Sequence, residues 1–207
     1  NILIDCSPDF YHQMLAAGQP DVDALIITHS HYDHVGGIDD LRPYCKGGRH
    51  FPVYCQADVD RDLRERNPWS FAQHLYPGVP TFAITDIEAG KAIDICGVEV
   101  LPLAVMHGKL PILGYRTGPL AYITDCKTMP EETIEALAGT DTLVINALRH
   151  DEHPTHLTLA QALELIERIG PRRAYLTHLS HDMGPEASVT LPKGVRIAYD
   201  GLTIHID

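Results

Sequence analysis

Positive charge is scarce in this 207-residue chain: 16 Lys and Arg stand against 28 Asp and Glu, a formal net charge of -12. That balance excludes a broad electrostatic grip on a phosphate backbone, so a nucleic-acid partner is not expected. A small anionic substrate stays open, because bound cations can dominate the field of a site. Long apolar runs are missing as well. None approaches the ~20 residues that cross a bilayer, and no membrane partner is expected. The five cysteines (Cys6, Cys45, Cys55, Cys96 and Cys126) are odd in number and contain no Cys-x-x-Cys pair. This excludes a disulfide scaffold and suits a reduced, cytoplasmic protein with small buried thiols. Internal repeats and low-complexity tracts are also absent.

The length predicts one domain over residues 1–207. The chain opens on Asn1-Ile2-Leu3-Ile4-Asp5, already a strand pattern, so the expectation is a domain that lacks its N-terminal strands. Apolar stretches predict strands at 1–5, 23–28, 51–55, 80–85, 91–95, 97–106, 111–117, 120–124, 142–147, 173–177, 195–198 and 202–206. Helical patterns fall at 8–17, 37–45, 56–65, 130–138 and 158–169. The last is the clearest. Thr158 is placed to cap it, Leu159, Ala162, Leu163, Leu165, Ile166 and Ile169 form its apolar stripe, and Gly170-Pro171 stops it. Strands crowd the middle of the chain, and helix–strand alternation flanks them. The predicted class is α/β, with two sheets packed face to face and helices outside. Segment 60–79, with Arg61, Arg64, Arg66, Trp69 and Tyr76, is weakly patterned. It reads equally as a loop-rich insertion over a site or as an ordinary solvated connection.

What the chain has in plenty is metal-competent side chains where strands end. Ala24-Leu25-Ile26-Ile27 leads into Thr28-His29-Ser30-His31-Tyr32-Asp33-His34, an HxHxDH run. Imidazole and carboxylate suit zinc, manganese or iron. Three distant residues stand in similar settings: His107 after Val98–Met106, Asp125 after Leu120–Thr124, and His178 after Ala174–Thr177. Seven such groups suffice for two divalent ions. His29, His31 and His107 would take one, and Asp33, His34 and His178 the other, with Asp125 as the bridging carboxylate. Such a pair would hold a bridging water and lower its pKa. About three protein ligands per ion leave positions open, as a catalytic site requires.

A metal hydroxide still needs a proton donor for the leaving oxygen. The segment Arg149-His150-Asp151-Glu152-His153-Pro154-Thr155-His156 is dense in titratable groups, and His156 is the candidate. Asp33 and His156 are therefore the candidate catalytic groups. Asp5 is expected to hydrogen-bond a ligand histidine, and His181 to orient the ligand shell through its second ring nitrogen. Gly36-Gly37 would let the backbone pass close to the metals. Cys6 and Cys126 would pack beneath the site.

Thr28-His29-Ser30-His31-Tyr32-Asp33-His34-Val35-Gly36-Gly37 resembles the signature of the metallo-β-lactamase superfamily. His107, Asp125 and His178 follow in the order of its remaining metal motifs, and Asp5 matches its first aspartate. Within it, Asp5-Cys6-Ser7-Pro8-Asp9-Phe10, His153-Pro154-Thr155-His156 and Leu176-Thr177-His178-Leu179-Ser180-His181 resemble the branch of the cyclic-phosphate phosphodiesterase of the phosphonate (carbon–phosphorus lyase) pathway, near RNase Z. The resemblance implies an αβ/βα sandwich of two mixed sheets with helices on the outer faces. It also implies a dinuclear zinc or manganese site, hydrolysis of a small or cyclic phosphodiester such as a phosphoribosyl 1,2-cyclic phosphate, and a general acid at His156. A structural zinc site ahead of the first aspartate, found in some members, has no counterpart in these residues. No long basic Gly/Pro-rich arm of the RNase Z kind is present, which lowers a tRNA reading. The alternatives are a thioesterase or lactonase of the glyoxalase II type and, outside hydrolysis, a di-iron redox member. A homodimer is the default for a soluble oligomer.

Overall fold

The computed structural model describes residues 1–184 and 190–206, which form two compact units, Asn1–Glu88 with Ile95–Gly97, and Ala89–Asp94 with Val98 onward. In the first unit, β1 (Ile2–Ile4), β2 (Ala24–Ile26), β3 (Phe51–Cys55) and β4 (Phe82–Asp86) pair in sequence order. Helix α1 (Phe10–Ala16) links β1 to β2, α2 (Tyr32–Val35) with a 3-10 helix (Ile38–Gly48) links β2 to β3, and α3 (Ala57–Arg66) follows β3. Each connection is a crossover, so every pair is parallel. This sheet is wholly parallel rather than mixed. Its strands bury Leu25, Phe51 and Val53 completely, each side chain contributing about 1.5–3 kcal/mol.

The second sheet is mixed. Its order is β11 (Val195–Ile197), β10 (Arg173–Thr177), β9 (Thr142–Asn146), β8 (Leu120–Ile123), β7 (Leu110–Thr117), β6 (Val98–His107) and β5 (Ile93–Ile95). β6, β7 and β8 form an antiparallel meander, whereas β8, β9, β10 and β11 run parallel. α4 (Glu131–Ala136) and α5 (Leu159–Ile169) supply the crossovers. α5 starts as predicted: Thr158 Oγ1 accepts from Gln161 N at 3.2 Å, and Gln161 Oε1 accepts from Thr158 N at 3.0 Å, a reciprocal cap. Leu159, Ala162 and Ile166 are buried, and Gly170 closes the helix at φ 70. No helix among the described residues is long and apolar enough to cross a membrane.

Three expectations need correction. Residues 202–206 form no strand; β11 already pairs with the outer edge of β10, and this segment is held instead by Arg173 Nη2 donating to His205 O at 3.0 Å. The helix predicted at 37–45 is a 3-10 helix containing Pro43, with non-helical backbone at Lys46 and Gly47. Gly37 has a packing role rather than a metal-facing one: a Cβ there would lie 2.0 Å from the Ser7 carbonyl oxygen and 2.9 Å from Phe10 Cβ. In segment 60–79, α3 continues to Arg66, Trp69 Nε1 donates to Asp39 at 3.1 Å and the Arg64 guanidinium sits 4.6 Å over Phe71. The segment is thus tied to its own unit.

Gly37→Ala should lower stability by about 1–3 kcal/mol through this overlap, read as a shifted midpoint in chemical denaturation; an unchanged midpoint would show that residues 5–10 shift without cost. At the start of β9, Arg172 and Arg173 hold the Asp141 carboxyl well below its ordinary 3.8. A depressed folded pKa stabilises the fold above the ordinary value, and that contribution is lost as pH falls below it. Asp141→Asn should therefore cost stability at neutral pH, and the gap from the parent should close in melts run well below pH 3.8.

Candidate metal centre

In the first unit, β2 delivers a buried chain end. Ile27 and Thr28 are fully buried, and His29 nearly so. Asp5, just past β1, gathers this end: Oδ1 accepts from Thr28 N at 2.8 Å, while Oδ2 accepts from Thr28 Oγ1 at 2.8 Å and from His34 Nδ1 at 2.7 Å. These contacts set the tautomers. His34 donates Nδ1–H to a carboxylate, so Nε2 presents its lone pair. The Thr28 hydroxyl has one hydrogen and directs it to Asp5. Toward His29 Nδ1, 3.0 Å away, it must then accept, which leaves the His29 lone pair on Nε2. That atom lies 3.0 Å from His31 Nδ1. Two nitrogens on one zinc at ~2.0–2.1 Å in tetrahedral geometry sit about 3.3 Å apart, so the spacing is that of a shared ion. Ser30, between the two histidines, is pinned to α3: its Oγ donates to Asp62 at 2.5 Å and its carbonyl accepts from Arg66 at 2.7 Å. The exposed Asp33 carboxylate lies 3.3 Å from His34 Nε2.

The second unit carries the other candidates. His107, the last residue of β6, donates Nδ1–H to the Thr155 carbonyl at 2.9 Å, again leaving Nε2 as ligand atom. Asp125 follows β8 and is almost fully buried. Its Oδ2 accepts from Thr124 Oγ1 at 2.6 Å; its Oδ1 lies 2.9 Å from His156 Nε2 and 3.2 Å from His178 Nε2. The His156 and His178 rings stack at 5.0 Å. Ligand atoms of His107, Asp125 and His156 all lie within 4.8 Å of one another. His156, expected as a proton donor, therefore also stands within a donor group. His153 Nδ1 is 3.1 Å from His156 Nδ1; desolvation first, then the His156 charge, lowers the His153 pKa.

Some placements differ from expectation. His181 is 94% exposed and faces Asp182 at 3.3 Å, so it does not orient His178; the 3-10 turn His181–Met183 carries its ring outward. Cys6 and Cys126 are buried, as expected, and burial pushes both thiols up, Cys126 to about 12. Thr28, the Thr155 carbonyl and Asn146 escaped sequence reading. Thr28 could have been suspected from its place before His29. A backbone carbonyl leaves no signal in a sequence.

Three site residues share a further property. Asp5, Asp125 and His178 have φ of 58, 52 and 55, a left-handed conformation that costs a non-glycine residue about 1–3 kcal/mol. Histidines with fixed tautomers, clustered with buried and strained carboxylates, are what divalent-cation binding asks of a protein; the donor set fits a metal-dependent hydrolase.

The comparisons agree. Residues 1–179 match the family model of the β-lactamase superfamily domain. The chain belongs to that family and has the metallo-β-lactamase fold. It is 43% identical over 209 residues to an octanoyltransferase of Porphyromonas gingivalis, covering 100% of this chain but 42% of that protein. It is 27% identical to a ribonuclease Z of Methanopyrus kandleri, covering 99% of this chain and 87% of that protein. Among solved structures, a diphosphatase from the PhnP family superposes with a TM-score of 0.88 at 36% identity, covering 97% of this chain and 77% of that one.

Because Asp5 sets His34 directly and His29 through Thr28, Asp5→Ala should weaken zinc binding about 10–100-fold, measured by chelator competition. Unchanged affinity would show that neither histidine relies on it.

Proposed function

We propose that this domain is a dinuclear metal-dependent phosphodiesterase acting on a small or cyclic phosphodiester, such as a phosphoribosyl 1,2-cyclic phosphate. The observation that carries the reading is His156 Nε2 held 2.9 Å from Asp125 Oδ1, which sets a proton-bearing group beside a candidate ligand. His29, His31 and His107 would hold one ion, Asp33, His34 and His178 the other, and Asp125 both. The ions, zinc or manganese, would acidify water and neutralise charge on phosphoryl oxygens. The chain's own part is proton control. As hydroxide, formed when water releases a proton to solvent, adds to phosphorus and the ester P–O bond breaks, His156 Nε2–H would pass its proton to the departing oxygen, giving a monoester and an alcohol. Thr155 Oγ1, 2.9 Å from His156 Nδ1, holds the ring. The exposed carboxylate of Asp33 is the second candidate catalytic group.

Similarity to a diphosphatase at 36% identity supports reaction at phosphorus. A small anionic substrate agrees with the charge balance, and the ribonuclease Z likeness at 27% identity is too distant to carry a tRNA substrate. The acyl-transfer name of the Porphyromonas relative is not carried over. It belongs to a protein of which this chain spans 42%, and the thiols beside the candidate site are buried. Thioester or lactone hydrolysis stays the alternative, since carbonyl attack needs less help at the leaving group.

Zinc- or manganese-loaded protein should cleave an aryl phosphodiester or a cyclic ribose phosphodiester, and a chelator should abolish this. His156→Ala should lower turnover about 10²–10⁴-fold with metal content intact. Loss of metal from the variant would make His156 a ligand, and thioester or lactone cleavage alone would overturn the phosphodiesterase reading.

A further inference from the structure

Asn146 is a fully buried polar side chain at the end of β9, outside every group of candidate ligands. It spends both ends of its carboxamide on the backbone of one residue: Oδ1 accepts from Cys126 N at 2.8 Å, and Nδ2 donates to Cys126 O at 3.1 Å. Cys126 directly follows Asp125, whose φ is 52. β8 ends at Ile123, opposite Ile145 on β9, so the ladder stops before Asp125. The carboxamide continues it one step further, acting as a substitute strand partner just where the chain turns left-handed. The same Cys126 carbonyl also accepts from Leu157 N at 2.8 Å, and Leu157 is the neighbour of His156. One buried amide thus braces the backbone of the residue that follows Asp125 and that receives the N–H of the residue after His156.

We infer that Asn146 is the positioning residue of this half of the metal site: by clamping the backbone N–H and C=O of Cys126 it holds Asp125 in its strained conformation and fixes the reach between Asp125 and His156. An apolar residue at the end of an otherwise apolar strand would pack more cheaply. It would also leave the buried Cys126 N–H without a partner, a configuration native proteins avoid. The inference rests on the reading of Asp125 as a metal ligand, and not on which ester is cleaved.

The test is a double-mutant cycle read by zinc affinity, using competition with a chromophoric chelator. Asn146→Leu keeps the branched shape and removes both bonds. It should weaken zinc binding about 10–100-fold, as loss of a partner behind a ligand does. In an Asp125→Ala background the same change should cost no more than about 2-fold, because distant, independent sites add and coupled ones do not. Parent-like affinity in folded Asn146→Leu would overturn the inference, and so would an equal loss in both backgrounds, which would mark a general effect on the fold. Should Asn146→Leu fail to fold by circular dichroism, Asn146→Asp takes its place. It keeps the shape and the acceptor for Cys126 N–H but replaces the amide donor, and it should show a smaller yet measurable loss; parent-like affinity would overturn the inference. If zinc binding follows the cycle but no phosphodiester is cleaved, the clamp stands and the phosphodiesterase reading falls.

Discussion

The direction of the strands is the constraint from which each half of the site follows. In a parallel sheet every strand ends at the same edge, so residues just beyond the strands become neighbours however far apart they lie in sequence. β1 and β2 pair with Ile4 opposite Ile26, which puts Asp5 beside Thr28. In the second sheet, β7 reverses against β6, and β8 reverses again. β6, β8, β9 and β10 therefore run in one sense and deliver His107, Asp125, Asn146 and His178 to one edge. Had β7 been absent, His107 would have left the sheet at the far end.

Reaching the edge is not enough; the side chains must also turn inward and carry the right proton. The turn is forced by left-handed backbone at Asp5, Asp125 and His178, a cost borne only where the surroundings over-determine it. At Asp125 the over-determination is visible in the Asn146 carboxamide, and at Asp5 in Asp5 N donating to Ile26 O at 2.9 Å. Proton placement is handled separately in each unit. A carboxylate fixes His34, a hydroxyl already committed to that carboxylate fixes His29, and a peptide carbonyl fixes His107. Three different acceptors yield the same outcome, Nε2 as ligand atom.

Much of this was legible in the chain and some was not, for a physical reason. His29, His31, Asp33 and His34 stood out because four metal-competent groups in six residues make no sense as packing. His107, Asp125 and His178 stood out because each ends an apolar run. The capped helix from Thr158 was readable because its cap and stripe are local. What escaped depends on pairing across the chain. The alternation at 202–206 is a good strand pattern, yet the segment does not extend the sheet beyond its edge strand β11. His181 shares a short segment with His178, yet a 3-10 turn points it to solvent. Gly37 sits in a metal motif, but the Ser7 carbonyl, thirty positions away in sequence, is what demands a glycine. Asn146 looked like the end of a strand because its partner is a peptide bond, and a peptide bond has no letter.

The placing of polar groups also bears on the division of labour between the two units. The first unit meets its candidate ligand histidines with charge: Asp5 is an anion, and its contacts to His34 and, through Thr28, to His29 raise the basicity of their other ring nitrogens. The second unit braces its members with neutral groups, the Asn146 amide and the Thr155 carbonyl, and places its carboxylate, Asp125, at the front. A carboxylate whose Oδ1 is approached by two histidines and whose Oδ2 is met by a threonine hydroxyl has its acceptor positions engaged on both oxygens, so its orientation is set from several sides at once. The ring of His156 touches that carboxylate at one nitrogen and the Thr155 hydroxyl at the other. The first unit thus sets its anionic support behind its histidines, and the second sets its carboxylate among its own.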